Sequence, residues 1–147
     1  MSSFSVQLQQ FADKTKGRSD ELVGLIVVKI AQRLDERSPV GDASYWKHKP
    51  PKGYVGGRFR GNWQLGVGTI PSGETGRVDP TGGATVSAIV SSIPGQAAGL
   101  VFYLTNNVPY AQRIEDGWSR QAPNGLVALT AVEFQQIVDE AAGATKQ

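Results

Sequence analysis

The chain has 147 residues, 39% of them hydrophobic and 19% charged, with 18 glycines, 8 prolines, no cysteine and a formal net charge of +2. That length suits a single domain, 1–147, with one core and little room for a deep catalytic cleft, and the glycine and proline content implies long loops. The lack of cysteine excludes a disulfide framework, a thiolate metal site and a thiol nucleophile, and suits assembly in a reducing cytoplasm.

Met1–Phe11 has no basic leader ahead of an apolar core, and Leu22–Ile30 is interrupted by Gly24 and Lys29. A soluble chain with no export signal and no membrane partner is expected. Phe4, Val6, Leu8 and Phe11 predict a short helix within Ser2–Lys16, stopped by Gly17. Ser19, Asp20 and Glu21 form a helix start, because a hydroxyl caps free amides and acids face the positive end of the dipole. Val23, Ile26, Val27, Ile30 and Leu34 follow at helical spacing, and Ser38-Pro39 ends the long N-terminal helix.

Residues 38–57 form a loop holding Tyr45, Trp46, Lys47, His48, Lys49, Lys52 and Tyr54. Loops beyond about 12–15 residues are uncommon in compact domains, and one that carries a Tyr-Trp pair is expected to order against its own sheet or another subunit. From Phe59 to about Ile70 the alternation places Phe59, Gly61, Trp63 and Leu65 on one face and Arg58, Arg60, Asn62 and Gln64 on the other, which predicts a strand. Gly61 leaves a gap beside Trp63 that the long upstream helix is expected to fill. Residues 71–83 read as a second flexible tip. Ala84–Ile93 alternates again and predicts a second strand, while Gly99–Thr105, apolar on both faces, predicts a central third one. Pro109–Asp116 reads as a short helical turn ended by Gly117. Asn124 is placed to cap a C-terminal helix with a stripe of Val127, Ala131, Phe134, Val138 and Ala141. The fold class is therefore α+β: an antiparallel three- to four-stranded sheet packed by a long N-terminal helix and a C-terminal helix, with long loops.

Charge is unevenly distributed. Arg37, Lys47, Lys49, Lys52, Arg58 and Arg60 face only Asp42 in their segment, whereas Glu115, Asp116, Glu133, Asp139 and Glu140 outnumber Arg120 and Lys146 in theirs. Such a split favours head-to-tail contact between copies, or contact with phosphates. The signs of catalysis are missing. His48 stands among lysines with no carboxylate or thiol at ligand spacing, so it reads as a surface side chain rather than a metal ligand or base. Glu115 and Asp116 diverge as neighbours on a turn, which favours a cap or an interface role. No phosphate-cradling glycine motif or nucleophile elbow occurs. No catalytic residue, metal or cofactor is expected, and the chain is read as a non-enzyme. The basic residues interleaved with Tyr45, Trp46 and Tyr54 leave open a small nucleic-acid-binding module. Trp63 and Trp118 are read as packing residues.

The order of motifs adds a resemblance. Ser38-Pro39-Val40, then Gly57-Arg58-Phe59-Arg60-Gly61-Asn62-Trp63, then Pro109-Tyr110-Ala111-Gln112-Arg113-Ile114-Glu115-Asp116-Gly117 ahead of a C-terminal helix resembles the neck, or tail-completion, family of tailed bacteriophages. Gly56-Gly57 stands where that family has Thr-Gly, Phe59 replaces an aliphatic residue, and the loop from Gly41 to Tyr54 is longer. The resemblance implies a structural virion protein without an active site, made in the host cytoplasm. It would form a ring, usually sixfold, at the head-tail junction, with the portal connector, the tail-terminator and tail-tube proteins as partners and genomic DNA passing through. A tail-terminator ring subunit is the alternative. Lys47, Lys49, Lys52, Arg58, Arg60, Glu115 and Asp116 are then candidates for a subunit interface or the DNA channel, and Gly57, Phe59, Gly61, Trp63, Tyr110, Ala111 and Gly117 for packing. A closed ring needs two unlike, complementary patches on each copy.

Overall fold

The computed structural model describes residues 19–41 and 56–145, together with the backbone course of residues 2–7. The fold is α+β, with helices and an antiparallel sheet. In chain order the elements are β1 (Ser2–Gln7), α1 (Ser19–Arg37), a single helical turn α2 (Arg58–Gly61), β2 (Trp63–Val67), α3 (Gly83–Ser91), β3 (Val101–Asn106), α4 (Ala111–Glu115), α5 (Val127–Val132) and α6 (Phe134–Thr145). The sheet order is β1-β3-β2. The central place of β3 follows from its composition, since Phe102, Leu104, Thr105 and Asn106 are all buried.

In the β2/β3 ladder, Trp63, Leu65 and Val67 stand opposite Asn106, Leu104 and Phe102. These pairs share one face of the pleat. Against them the core collects Val23, Ile26, Val27, Ile30 and Leu34 from α1, Ile89 from α3, and Ile137 and Ala141 from α6. The first turn of α1 carries Asp20 and Glu21 and the last carries Arg37, charges that complement the helix dipole.

Several expectations are corrected. Of the three strands anticipated between Phe59 and Thr105, two form; the segment assigned to Ala84–Ile93 is the helix α3. Its Thr-Val-Ser-Ala-Ile-Val run fits either period, and a start signal further upstream decides the outcome. The Asp79 carboxylate accepts hydrogen bonds from Gly82 N (2.9 Å), Thr85 N (2.8 Å) and Thr85 Oγ1 (2.6 Å), satisfying amides that a helix start leaves free. Thr85 and Ile89, four apart, then form the buried face.

The strand expected from Phe59 begins only at Trp63, because Arg58–Gly61 makes a helical turn that places Phe59 and Trp63 on one side, ring centroids 5.7 Å apart and nearly perpendicular. The space beside Gly61 is occupied by the Arg77 carbonyl, not by α1: a Cβ at Gly61 would strike that oxygen. The expected tip at 71–83 is bound to this turn. Thr75 N donates to Asn62 Oδ1, Thr75 Oγ1 to the Gly61 carbonyl, and Asp79 N to the Gly57 carbonyl.

Near the N-terminus the expected helix is replaced at residues 2–7 by β1, and its remainder lies outside the described residues. The C-terminal helix is divided at Glu133, and its buried positions are Thr130, Ile137, Val138, Ala141 and Thr145, with Ala131 turned outward. Asn124 does not cap it.

Candidate functional site

The two stretches that carried the motif resemblance meet in space. Asn106 Nδ2 donates 2.8 Å to the Phe59 carbonyl, fixing the α2 turn to the end of β3. Phe59 lies 6.5 Å from the Tyr110 ring, and the Arg58 guanidinium stands 5.5 Å over the same ring. Gly57 takes a φ of 123°, and its place beside the Asp79 and Pro80 backbone leaves no room for a Cβ. Ala111 and Ile114 face inward from α4, and Gly117, at φ 89°, ends that helix against the Pro123 carbonyl.

Between these pieces opens a cleft of about 410 Å³ with Phe59 and Ile114 at its floor, Arg58 and Tyr110 on one wall, and Val40 and Gln121 on another. Gln121 closes that wall like a strand partner: Val40 N donates to its Oε1 and its Nε2 donates to the Val40 carbonyl, both at 3.0 Å. The chain leaves the described region at Gly41 and re-enters at Gly56 directly beside it, where a Cβ on Gly56 would strike the Gly41 carbonyl. Lys47, Lys49 and Lys52, together with Tyr45, Trp46, His48 and Tyr54, lie outside the described residues.

The remaining charged candidates separate sharply by role. Arg58 is about half exposed and forms a two-pronged ion pair with Glu74, at 2.8–3.1 Å. That hydrogen bond raises its pKa above the ordinary arginine value. Arg60 is turned into the chain, its guanidinium donating to the Pro80 carbonyl at 2.6 Å and the Ser38 carbonyl at 3.0 Å. Glu115 accepts from the backbone amides of Leu126, Val127 and Ala128 at 2.9–3.1 Å, and so caps α5 from a distant turn. Asp116 is exposed and accepts from Gln112 Nε2 at 3.0 Å. Glu133 and Glu140 are engaged within the chain by Lys29, Arg33 and Arg37 of α1. Much of the acidic segment is thereby neutralised internally.

Trp63 is a packing residue, almost fully buried, with its Nε1 donating 2.7 Å to Ser38 Oγ. Trp118 is not: it is 74% exposed, with the Arg113 guanidinium 5.3 Å over its ring.

A second polar cluster lies inside the fold. Asp35, buried at the end of α1, presses its carboxylate against Gly82 at the start of α3. Burial raises its pKa to about 6; Arg60 works against this rise, and Asp79 and Glu36 add to it. Burial also acts on Asp79, but the hydrogen bonds from Thr85, Gly82 and Thr81 outweigh it and hold Asp79 below the ordinary carboxylate range.

No group of three or more His, Cys, Asp or Glu side chains suited to a metal ion occurs among the described residues, and no described helix is long and apolar enough to cross a membrane. The class this architecture defines is a small α+β domain with a surface cleft lined by Phe59, Ile114, Arg58 and Tyr110. Comparison with protein-family models, with characterised proteins and with solved structures finds no match.

Proposed function

We propose that this chain is a non-enzymatic ring subunit of the neck, or tail-completion, type, joining the tail of a tailed bacteriophage to the portal connector at the head-tail junction of the virion. One observation carries the reading: Gly57–Trp63 and Pro109–Gly117, separated in sequence, form one body around the cleft, with Arg58, Phe59 and Tyr110 in mutual contact. Motifs that converge on a shared cleft, with an exposed, ion-paired Arg58 and the Gln121 amide along it, suit a docking surface.

Arg60 and Glu115 hold the fold, so the exposed candidates are Arg58 and Asp116, with Lys47, Lys49 and Lys52 added from the sequence. Neighbouring subunits, the connector and the tail-terminator or tail-tube proteins are the partners in this account.

The test is assembly of the purified chain, measured by native mass spectrometry and by its capacity to complete tail-less heads in an extract. Closed oligomers and restored infectivity support the reading, with Arg58→Ala reducing both and Arg58→Lys partly restoring them. A chain that stays monomeric at every concentration and completes no particle contradicts it.

A further inference from the structure

Arg60 ties three segments together. From the α2 turn its Nη1 donates to the Pro80 carbonyl at 2.6 Å and its Nη2 to the Ser38 carbonyl at 3.0 Å. Ser38 follows the last turn of α1, and its hydroxyl donates to the Leu34 carbonyl while accepting the Trp63 indole N–H. Two residues further on, Val40 forms one wall of the cleft, and Arg58 and Phe59 of the same α2 turn supply another wall and the floor. The spacing of those walls therefore depends on one guanidinium.

Asp35 lies three residues before Ser38, buried, with its carboxylate against the Gly82 backbone. Its Oδ1 and the Arg60 Nε are both buried and have no hydrogen-bond partner among the described residues. The charged groups whose fields reach Asp35 are Arg60 on α2, Asp79 ahead of α3 and Glu36 on α1. Helix α3 itself carries no charge. Asp79 is occupied by Gly82 and Thr85, and Arg77 by Thr85 and the Trp63 carbonyl. Lys29, Arg33 and Arg37 pair with Glu133 and Glu140. Arg60 is thus the cation to which an ionised Asp35 can turn. A carboxylate offers it a full opposite charge and two parallel acceptors, where each carbonyl offers only a dipole.

We propose that Asp35 and Arg60 form a proton-operated clasp. With Asp35 protonated, Arg60 bonds the Ser38 and Pro80 carbonyls, as in this structure; when Asp35 gives its proton to solvent, the carboxylate draws the guanidinium away and the α2 turn is released from the end of α1. Burial sets the working range, since Asp35 keeps its proton up to a pH of about 6. The clasp is shut below that pH and open above it, so the cleft between Val40 and Arg58 is firm in acid and loosened at neutrality. This device is independent of what the cleft docks.

The test is a pH series from about 4.5 to about 8, followed by NMR on the full chain carrying His48→Gln, which removes the single histidine as a competing titration. Trp46→Phe and Trp118→Phe identify the Trp63 indole signal by elimination. The Asp35 carboxyl carbon, the Arg60 Nε–H and the Trp63 indole N–H are expected to move together with one midpoint near pH 6. Asp35→Asn should hold both reporters at their low-pH positions throughout. Arg60→Lys, whose ammonium cannot span the two carbonyls, should leave Asp35 titrating while Trp63 no longer follows it. An Asp35 carboxyl that titrates while the Arg60 and Trp63 signals stay fixed overturns the clasp, as does a transition that survives Asp35→Asn. If the asparagine variant does not fold, the three signals of the Asp35 chain decide the matter alone.

Discussion

Replacing Asp35 with asparagine should stabilise the protein at neutral pH, the reverse of the usual effect of changing a buried residue. The Asp35 carboxylate is 6% exposed and packed on Gly82, and its pKa is raised from 3.8 to about 6. A carboxyl with a folded-state pKa above its unfolded value binds more protons when folded, so stability falls as pH rises through the window from about 4 to about 6. At about 1.4 kcal/mol per pH unit, the full cost of ionised Asp35 at pH 7 is about 3 kcal/mol. That figure already includes the attraction to Arg60, which in the variant keeps the Pro80 and Ser38 carbonyls as acceptors, and burial of the asparagine NH2 in the same place offsets part of it. A net gain of about 1–2 kcal/mol at pH 7 is expected, shrinking toward zero below pH 4. Urea unfolding at half-unit steps from pH 4 to pH 8 measures it. The natural chain should gain stability between pH 7 and pH 5 while the asparagine variant lacks that component. A variant less stable than its parent at pH 7, with an unchanged pH slope, would refute the reasoning.

Other predictions follow from the same network and its neighbours. Gly82→Ala forces a Cβ into the Asp35 carboxylate at a residue with φ 89°, and should cost about 2 kcal/mol or more in chemical denaturation. Glu115→Ala removes the acceptor for three amides and should cost about 2 kcal/mol, with hydrogen exchange quickening first at Val127 and Ala128. Arg60→Ala should lower the melting temperature, whereas Arg58→Ala should leave it within about 2 °C, since an exposed ion pair contributes about 0–1 kcal/mol. Glu133→Gln should cost about 1 kcal/mol by loosening the α1 contact of Arg33 and Arg37, with the loss shrinking in high salt.

The sequence is most legible where one element satisfies itself. The α4 turn ended by Gly117 and the central β3 could be read because their signals are local: a positive-φ glycine in one case and a segment apolar on both faces in the other. Misreadings occurred where a distant group decides the structure. For α3, a run that fits two periods is settled by Asp79, and for α5 the cap is Glu115 rather than the adjacent Asn124. Asp79 could have been found, because an aspartate ahead of Pro-Thr-Gly and Thr85 is a helix-start signal. For Glu115 a cap role is legible from the sequence, but its target is not, since nothing in its spacing indicates that a turn eleven residues upstream meets α5.

Among the candidate site residues, charge alone could not separate Arg58 from Arg60. They are two apart in a helical turn, so one faces outward to Glu74 and the other inward to two carbonyls. The same limit applies to the acidic segment, where composition does not show that α1 holds Glu133 and Glu140. Trp118 shows the reverse case: expected to pack, it stands exposed beside Arg113.

The most direct test of the proposed neck role is cryogenic imaging, at side-chain resolution, of tailed phage particles assembled in the presence of this chain. The account predicts a closed ring of copies between portal and tail, with the Arg58–Tyr110 cleft in contact with a neighbouring polypeptide. Particles that lack the chain, or carry it away from that junction, would contradict it.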